Sequence, residues 1–326
     1  MSESETNTEP ADTTSTPEAP EAETTPGKKK KKEKPEPRGL WHDWIRPLLT
    51  VIIIVTTLRS SLLDWNDVPT GSMIPTVAIG DRIVVNKLSY GFNLPFNGPV
   101  VSVPFINVTF DNPLDFLPGF YYGEPKRNDI VTFWKPSVYD YHYQAAEQQG
   151  FSEAEADAYA RARDDAGTRM VKRVVAVPGD TVEMRRATEK FDGRLFEISK
   201  LIINGEEAQY TDKYLTTLTE TILGDVRRVK YDRYTSVEAG DGRTVRLNPR
   251  PQALAFGPIT LGDDEYLMIG DNRDNSADGR FFGPVKLDQI TGKAKFVAVS
   301  FNGSYFKPNW SRFFHAFDSD IETEAP

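Results

Sequence analysis

One long apolar segment near the N-terminus restricts the fold of this chain more than any other feature. Its uninterrupted core runs from Pro47 to Leu58, and extension to residues 40–63 gives the roughly 20 residues that a membrane-spanning helix needs. A run of lysines ends shortly before it, and Trp41 and Trp44 lie at its start, as tryptophans do at a membrane interface. These flanks favour a transmembrane anchor over residues 40–63 rather than a buried core helix, which is the alternative.

The residues before the anchor predict a disordered cytoplasmic tail over residues 1–39. Residues 2–27 consist mostly of Glu, Thr, Ser, Pro and Ala, and such a segment buries too little apolar surface to fold. The lysine-rich end of the tail keeps this side of the membrane in the cytoplasm by the positive-inside rule. The chain is therefore expected to cross the membrane once, with everything after the anchor on the outer side.

Composition excludes several classes of function. The formal net charge of −9 argues against a general nucleic-acid binder. The absence of cysteine rules out disulfides, a thiolate nucleophile and cysteine-ligated zinc. The only histidines are His42, His142 and His315, which are too scattered to indicate a metal site or a Ser-His-Asp triad. We predict neither a metal nor a cofactor, and any serine hydrolase chemistry would require lysine as its base.

Beyond the anchor, short β-rich runs bounded by Gly, Pro, Asn and Asp predict a mostly β, antiparallel fold. The runs are residues 82–86, 129–134, 170–177, 201–204, 266–269 and 294–301. One helix interrupts them. Ser152 and Glu155 have the spacing of a capping box, and an Ala-, Glu- and Arg-rich stretch continues to about Ala166.

Ser72 is a candidate nucleophile in the turn sequence VPTGSMIPT, residues 68–76. A serine hydroxyl is a weak nucleophile until a neighbouring base removes its proton. Gly71 leaves room for the backbone to turn and for a substrate to approach. Taken alone, this sequence predicts a structural turn, so the nucleophile hypothesis depends on a base elsewhere in the chain.

Lys172 is the candidate base. It lies in the predicted strand over residues 170–177, where alternate residues share a face, so that Met170 and Val174 flank it. An ammonium group among apolar side chains loses hydration, which favours the neutral amine that can accept a proton. The alternative is an ordinary charge on an edge strand. Arg173 alternates to the opposite face and is expected on the surface.

A third block, GDNRDNSAD, spans residues 270–278. A calcium loop is one interpretation, but Arg273 stands where a ligand is needed and no glutamate closes the loop. A turn network of Asx-type hydrogen bonds is another interpretation. The functional interpretation is that the turn brings Ser276 beside the candidate base, with Asp278 and Arg280 paired to hold the loop in shape.

Together, these three blocks behind a membrane anchor resemble the bacterial type I signal peptidases, which use a Ser–Lys dyad. Residues 125–131, 202–206 and 290–294 are similar to further parts of that family. The resemblance implies a signal-peptidase-like β fold with a smaller β-rich inserted domain. The implied regions are a catalytic β domain over residues 64–185 and 264–302, an inserted subdomain over residues 186–263 and a C-terminal tail over residues 303–326.

The resemblance also implies roles for individual residues. Ser72 would attack the scissile carbonyl and Lys172 would take its proton. The backbone N–H of Ser72 and the hydroxyl of Thr70 would form the oxyanion hole, and Ser276 would orient the lysine amine. The residues implied to support the loop are Asp271, Asp278 and Arg280. The residues implied to line the pockets for small substrate side chains are Val68, Pro69, Met73 and Val171.

The function that the resemblance implies is a membrane-anchored serine endopeptidase that cleaves signal peptides from secreted preproteins after small-x-small sites. Its expected partners are those signal peptides and the lipid bilayer, with no nucleic acid. Its expected location is the cytoplasmic (inner) membrane, with the catalytic domain on the periplasmic or extracellular side.

The chain departs from the family pattern in a few places. Gly279 stands where serine is usual, Ala176 where glycine is commoner, and Asn128 in a glycine position. Residues 101–122 form an insertion that either docks on the outer leaflet or covers the β core as a flap. Its apolar residues are Phe105, Ile106, Phe110, Leu114, Phe116, Leu117 and Phe120. A second insertion, residues 137–168, contains the predicted helix and is interpreted as a solvated excursion.

Two alternative functions have to be weighed for a chain that contains these three blocks. A self-cleaving Ser–Lys protein like the SOS repressors would need a DNA-binding module and a cytosolic position, and the anchor and the acidic tail supply neither. A catalytically silent, membrane-anchored scaffold on the same fold would have no chemical reason to keep both Ser72 and Lys172.

Overall fold

The computed structural model describes residues 39–92, 100–103, 108–111, 120–191, 194–214, 217–231, 236–238, 244–246, 255–302 and 307–317. The chain divides into two units, Met1–Pro47 and Leu48–Pro326. Most of the first unit, including nearly all of the predicted tail, lies outside the described residues. The second unit contains all of the strands that the structure describes.

Four α-helices lie within the described ranges. A π-helical turn over Trp41–Ile45 precedes α1 (Arg46–Ser61), and the others are α2 (Tyr139–Gln148), α3 (Glu153–Arg161) and α4 (Gly279–Phe282). Turns of 3₁₀ helix cover Lys87–Ser89, Leu287–Gln289 and Trp310–Arg312. In the part of the chain that the structure describes, no helix has both the length and the apolar character that crossing a membrane requires.

Strands make up most of the regular structure, which confirms the predicted mostly β fold. Numbered in chain order, they are β1 (Leu63–Asp67), β2 (Asp81–Asn86), β3 (Gly91–Phe92), β4 (Val100–Val103), β5 (Val108–Asp111), β6 (Phe120–Tyr121), β7 (Ile130–Trp134), β8 (Arg169–Ala176), β9 (Thr181–Phe191), β10 (Arg194–Ile203), β11 (Glu206–Glu207), β12 (Gln209–Tyr214), β13 (Thr217–Ile222), β14 (Asp225–Lys230), β15 (Ser236–Glu238), β16 (Thr244–Arg246), β17 (Phe256–Thr260), β18 (Glu265–Ile269), β19 (Val285–Lys286), β20 (Ile290–Ser300) and β21 (His315–Ala316).

The largest sheet has eight strands in the order β1-β2-β20-β7-β8-β18-β19, with β21 beside β20. Its neighbouring strands are all antiparallel. Strand β2 alternates as a half-buried strand does, because Ile83 and Val85 are buried and Val84 between them is partly exposed. Strand β8 differs, since every residue from Lys172 to Ala176 is buried.

Apolar clusters on both sides explain the burial of β8. One cluster joins Val174 to Phe133 of β7, within the large sheet. Another joins Val175 to Met184 of β9, which belongs to a separate four-stranded sheet in the order β11-β10-β9-β17. Because both faces of β8 are covered from Lys172 onward, a polar side chain in this part of the strand has little contact with water.

Two further sheets lie in the region between β9 and β17. Strands β12, β13 and β14 form a three-stranded antiparallel sheet, and β15 pairs with β16. Ile198 of β10 packs with Leu218 and Val229 of the three-stranded sheet, so the two sheets share a small core. Earlier in the chain, β3 pairs with β6 and β4 pairs with β5.

The predicted helix is present but shorter than expected. It begins with the capping box at Ser152, as predicted, but α3 ends at Arg161 rather than near Ala166. The carboxylate of Asp164 accepts a hydrogen bond from the backbone N–H of Val138, 3.0 Å away. Because this contact directs the chain into a turn, the helix does not continue to Ala166. This contact ties the end of the second insertion to the start of α2, a helix that the sequence did not predict.

Two other stretches can be compared with their predictions. Residues 307–317, assigned to the C-terminal tail, belong to the fold, since β21 pairs with β20 and Arg312 donates to the carboxylate of Asp81. In the insertion at residues 101–122, Phe120 is 60% exposed, while the side chains of the other named apolar residues lie outside the described residues. Docking of this insertion on a membrane leaflet stays a prediction.

Candidate active site

Ser72 lies on a turn whose backbone the apolar core holds in place. The N–H of Val77 donates to the carbonyl of Met73 over 2.9 Å and closes the turn. Met73 and Val77 pack in one core cluster with Val68, and Met73 is only 1% exposed. Ser72 itself is partly exposed. The turn therefore has a fixed backbone and still leaves its serine within reach of solvent.

Lys172 reaches this turn from β8. Its Nζ lies 2.7 Å from the Oγ of Ser72 and 3.0 Å from the carbonyl oxygen of Val171, and both are hydrogen-bond distances. The side chain is 2% exposed because both faces of β8 are covered. The structure thus brings the predicted nucleophile and the predicted base together, although 100 positions separate them in the chain.

Burial changes the acid–base behaviour of this amine. Loss of hydration is the largest influence and lowers the pKa of Lys172 from 10.5 to about 8. The carboxylates of Asp278 and Asp271 act in the opposite direction, and the guanidinium of Arg280 adds to the lowering. A substantial fraction of the amine is therefore neutral at slightly alkaline pH and able to accept a proton.

An ion pair holds the loop that follows β18. Arg280 donates from Nε to Asp278 Oδ1 over 2.8 Å and from Nη2 to Oδ2 over 2.9 Å, and the pair is buried. The same carboxylate accepts from the N–H of Gly270 over 2.9 Å, which closes the loop. Burial opposes ionisation of Asp278, but the contacts with Arg280 and Gly270 outweigh it and lower the pKa of this carboxyl. The predicted pairing of Asp278 with Arg280 is present.

Gly270 allows this loop to approach the Ser72 turn. A Cβ at position 270 would lie 2.2 Å from Ser276 Oγ and 2.6 Å from the carbonyl oxygen of Ser72. Only glycine permits such an approach without displacing backbone. The glycine at the start of the third block is therefore required by packing.

Ser276 is buried close to the Ser72 turn but makes no hydrogen bond to a described residue. Its contact with the carboxylate of Asp278 influences the pKa of that group but falls short of hydrogen-bond geometry. The described contacts of the Lys172 amine are with Ser72 and Val171. A role for Ser276 in orienting that amine stays a prediction.

The remaining predicted site residues differ in exposure. Thr70 and Pro69 are exposed beside Ser72. Val68 and Met73 are buried, and Val171 is partly buried against the same core cluster. Their predicted roles in the oxyanion hole and in the substrate pockets are not decided by these positions.

Arg173 is buried, so the expectation that it lies on the surface is wrong. It is 5% exposed and donates from Nε and Nη2 to the two carboxylate oxygens of Asp271, over 2.8 and 2.7 Å. Asp271 also accepts from the hydroxyl of Thr76 over 2.5 Å, and Arg173 donates to Asn128. Burial disfavours the charged form, but the carboxylate of Asp271 outweighs it and raises the pKa of Arg173. Strand alternation failed here because β8 has no solvent-facing side at this position.

Asn272 was also missed by the sequence analysis. It is 2% exposed, its backbone N–H donates to the carbonyl of Ser72 over 3.0 Å, and its Nδ2 donates to the carbonyl of Gly71 over 2.9 Å. The only sequence signal was its place inside the third block. Asn272 therefore connects the loop directly to the backbone that carries the candidate nucleophile.

A buried cluster centred on Glu220 holds the other side of the loop. Glu220 of β13 accepts two hydrogen bonds from Arg273, each 2.7 Å long, and further bonds from Arg227 and Tyr210. Burial acts to raise the pKa of Glu220, but Arg273 and Arg227 lower it to about 2. The three-stranded sheet therefore binds the loop that follows β18 through charged groups that have almost no contact with water.

The known proteins that this chain resembles in sequence belong to one family, the signal peptidases. The family model described as signal peptidase, peptidase S26, matches residues 41–299. A signal peptidase I of Pseudomonas fluorescens is 30% identical over 292 residues, which cover 86% of this chain and 81% of that protein. A signal peptidase I of Haemophilus influenzae is 27% identical over 292 residues, which cover 82% of this chain and 72% of that protein.

Among solved structures, a signal peptidase I from Enterococcus faecalis V583 matches over 52% of this chain and 96% of that chain. Its sequence identity is 20% and its TM-score is 0.23, too low to carry an argument about the fold. The match of the family model and the identity with the relatives do not depend on it. They confirm the family indicated by the three sequence blocks: the chain belongs to the signal peptidases of the peptidase S26 family and is a serine endopeptidase.

Proposed function

We propose that this protein is a membrane-anchored signal peptidase that cleaves secreted preproteins with Ser72 as nucleophile and neutral Lys172 as general base. The observation that carries the proposal is the 2.7 Å distance between Lys172 Nζ and Ser72 Oγ, with the amine almost excluded from water. A lysine with a pKa of about 8 supplies a neutral amine near physiological pH. The relatives named signal peptidase I support the choice of substrate.

The reaction follows from this pair. Neutral Lys172 takes the hydroxyl proton while Ser72 Oγ bonds to the scissile carbonyl carbon, which gives a tetrahedral oxyanion. The resulting ammonium then donates that proton to the leaving nitrogen as the peptide C–N bond breaks, leaving an acyl-enzyme. Water then attacks the ester carbonyl carbon while the amine takes a proton from it. The bond between that carbon and Ser72 Oγ breaks, the ammonium returns the proton to Oγ, and the acyl group leaves as a carboxylic acid.

The oxyanion needs donors, and the family resemblance assigns this role to the N–H of Ser72 and the hydroxyl of Thr70. The exposure of Thr70 beside the nucleophile is compatible with a donor that meets bound substrate. A donor aimed at the developing charge is worth about 2.7–4 kcal/mol of transition-state stabilisation. By the same resemblance, Ser276 orients the amine, and Asp271, Asp278 and Arg280 keep the loop in shape.

Substrate choice is proposed to rest on shallow apolar pockets that accept alanine-sized side chains. The resemblance assigns their walls to Val68, Pro69, Met73 and Val171. Three of these residues pack in one core cluster next to the nucleophile, which supports pockets with rigid walls. Rigid and shallow walls would reject large side chains and so favour small-x-small sites.

The anchor is proposed to lie over residues 40–63. Its large apolar side chains are exposed on several sides, including Leu48 at 60%, Ile53 at 61% and Ile54 at 52%. Side chains of this kind are stable in contact with lipid rather than water. With the lysine-rich tail in the cytoplasm, the catalytic domain would lie on the periplasmic or extracellular side of the inner membrane, where signal peptides present their cleavage sites.

The test uses the full chain in lipid vesicles and a preprotein with alanine at the first and third positions before the cut. Ser72→Ala and Lys172→Met should each lower kcat/KM at least about 10³-fold, because each removes half of one catalytic unit. The matched controls are Ser137→Ala, at an exposed loop serine, and Lys286→Met, at an exposed strand lysine, and both should cleave at the wild-type rate.

Folding is checked separately. At pH 7 Lys172 is mostly protonated in both the folded and the unfolded chain, and only the folded chain bears the cost of its burial. Lys172→Met should therefore raise the free energy of unfolding, by roughly 3 kcal/mol if the pKa falls from 10.5 to about 8. Cleavage by a folded Ser72→Ala or Lys172→Met protein at the wild-type rate would reject the dyad. A wild-type protein that cleaves no preprotein would favour the silent scaffold.

A further inference from the structure

Asn272 holds two successive carbonyl groups of the nucleophile turn. Its side-chain Nδ2 donates to the carbonyl oxygen of Gly71 over 2.9 Å, and its backbone N–H donates to the carbonyl oxygen of Ser72 over 3.0 Å. A backbone carbonyl oxygen can accept a hydrogen bond but cannot donate one. The side-chain nitrogen of Asn272, and not its oxygen, therefore has to face the carbonyl of Gly71. The planes of two peptide units, one on each side of the Ser72 Cα, are thereby restrained.

The first of these planes contains the N–H of Ser72. The Gly71–Ser72 peptide bond is trans, so the carbonyl of Gly71 and the N–H of Ser72 lie in one plane and point in opposite directions. A hydrogen bond that fixes the oxygen therefore also fixes the direction of the N–H on the far side of the plane. That N–H is the backbone donor assigned to the oxyanion hole.

We propose that Asn272 is a positioning residue that aims the Ser72 N–H at the oxyanion through its side-chain hydrogen bond to the Gly71 carbonyl. The proposal rests on the proposed function, since it assumes that Ser72 forms the tetrahedral intermediate. Asn272 touches neither the substrate nor the Lys172 amine in this assignment, and it acts only through the orientation of one peptide plane.

A positioning side chain must itself be fixed, and both neighbours of Asn272 are. The N–H of Lys230 donates to the carbonyl of Asp271 over 2.7 Å, and the N–H of Arg273 donates to the carbonyl of Lys230 over 2.9 Å. The guanidinium of Arg273 is held by Glu220 through two bonds of 2.7 Å. The loop is thus attached to β13 and β14 immediately beside Asn272. These contacts restrain the position of the Asn272 side chain relative to the nucleophile turn.

A purely local role in shaping the loop explains the side chain less well. An asparagine that stabilises its own turn uses its side-chain oxygen to accept from a backbone N–H a few residues ahead. Here the Oδ1 of Asn272 is buried and has no hydrogen-bond partner among the described residues. The N–H of Asn275 donates to the backbone carbonyl of Asn272 instead. The side chain is directed out of its own loop toward the nucleophile turn.

The experiment compares Asn272→Asp and Asn272→Ala with Asn275→Asp in the full chain reconstituted in vesicles. Aspartate keeps the shape of the side chain but presents an oxygen to the Gly71 carbonyl, and alanine removes the donor without adding charge. Asn275→Asp is the matched control, because it makes the same change in the same loop at an exposed residue. For each protein we would measure kcat and KM for a preprotein, the pH midpoint of the acid limb, and the Ki of a peptide boronate that forms a tetrahedral adduct with serine.

Both Asn272 variants should lose about 10- to 100-fold in kcat, with KM within about twofold of wild type, because a misdirected oxyanion donor affects only the transition state. The boronate Ki should rise in proportion to the loss in kcat. The pH midpoint should stay in place in Asn272→Ala, which adds no charge. It should move to higher pH in Asn272→Asp, because a carboxylate close to the Ser72 turn raises the pKa of Lys172 as Asp278 and Asp271 do. Asn275→Asp should match the wild type in all four quantities.

Three results would overturn the proposal: a kcat within twofold of wild type in either Asn272 variant, a loss of kcat with an unchanged boronate Ki, or failure of both variants to fold. Failure of the proposed function gives a different pattern, in which the wild type and Asn275→Asp do not cleave, or Ser72→Ala cleaves as the wild type does. The two failures can therefore be told apart.

Discussion

At the scale of single residues, Lys172 and Arg173 are adjacent cations with opposite electrostatic surroundings. The guanidinium of Arg173 has a bidentate carboxylate partner in Asp271, so it stays charged. The amine of Lys172 contacts a hydroxyl and a carbonyl, neither of which bears a full charge, so its charged form gains little to offset the loss of water. One residue is suited to structure and the other to proton transfer.

The pH dependence of cleavage should report the amine. Because Lys172 acts as a base only when neutral, kcat/KM should rise about tenfold per pH unit at acidic pH and level off above a midpoint near 8. The carboxylate of Asp278 raises the pKa of Lys172, so Asp278→Asn should move the midpoint to lower pH. Asp288→Asn, at an exposed residue, is the control and should leave it in place. Rates that are flat from about pH 6 to pH 9 would contradict the role of the amine.

At the scale of secondary-structure elements, β13 and β14 hold the loop between β18 and α4. Backbone hydrogen bonds join Lys230 of β14 to Asp271 and Arg273, and the side chain of Arg273 reaches Glu220 on β13. All of these side-chain contacts are buried, so removing one charge leaves another without compensation. The region between β9 and β17 therefore supports the candidate site from outside the large sheet.

Glu220→Gln should destabilise the protein by about 3–5 kcal/mol at pH 7, because two buried guanidinium groups lose their counter-charge. The difference from wild type should be full above the unfolded pKa of 4.5 and should shrink as the pH falls toward the folded pKa of about 2, where wild-type Glu220 also becomes neutral. The measurement is denaturant unfolding at pH 7, 4 and 2.5.

The matched control for Glu220 is Glu183→Gln on β9, which removes the partner of the solvent-exposed Arg185. A surface pair of this kind contributes at most about 1 kcal/mol, so this variant should unfold almost as the wild type does. Equal effects of the two substitutions would show that the buried cluster has no special importance for stability.

At the scale of the whole molecule, the chain combines a β-rich catalytic unit with an N-terminal segment whose apolar side chains are exposed. Exposed residues such as Ile53 and Ile54 are unfavourable in water and favourable in lipid. The lysine cluster that precedes this segment is the feature that sets its proposed orientation. The N-terminal segment is thus proposed to determine where the protein lies, and the β-rich unit to carry out the chemistry.

Placing aspartate at both Ile53 and Ile54 should release the full-length protein from membranes, because each charge costs about 2.5–3.5 kcal/mol in the centre of a spanning helix. Hydrolysis of a short soluble peptide should stay within about twofold of wild type, since catalysis resides in the other residues. Resistance to extraction with alkaline carbonate is the measurement. Leu223→Asp, at a residue that is 37% exposed in the turn between β13 and β14, is the control and should remain in the membrane fraction. Retention of the double variant would argue against the anchor.

The sequence alone determined the features that depend on neighbouring residues. Short β-rich runs, many of them bounded by Gly, Pro, Asn and Asp, predicted β2, β7 and β8, and the capping box at Ser152 located the start of α3. The three blocks identified the family, since each is a short run whose residues are contiguous. Elimination of cysteine and histidine directed attention to Lys172 because composition needs no structure at all.

Only the tertiary structure decided which of these residues meet and which lose water. Ser72 and Lys172 are 100 positions apart, and Arg173 and Asp271 are 98 positions apart. Strand alternation assigns a side chain to one face of β8 but cannot say that a second sheet covers that face, which is why Arg173 was wrongly expected on the surface. Burial is set by the packing of distant elements, and it is burial that lowers the pKa of the lysine and leaves its ion-paired neighbours with little water to replace a lost partner.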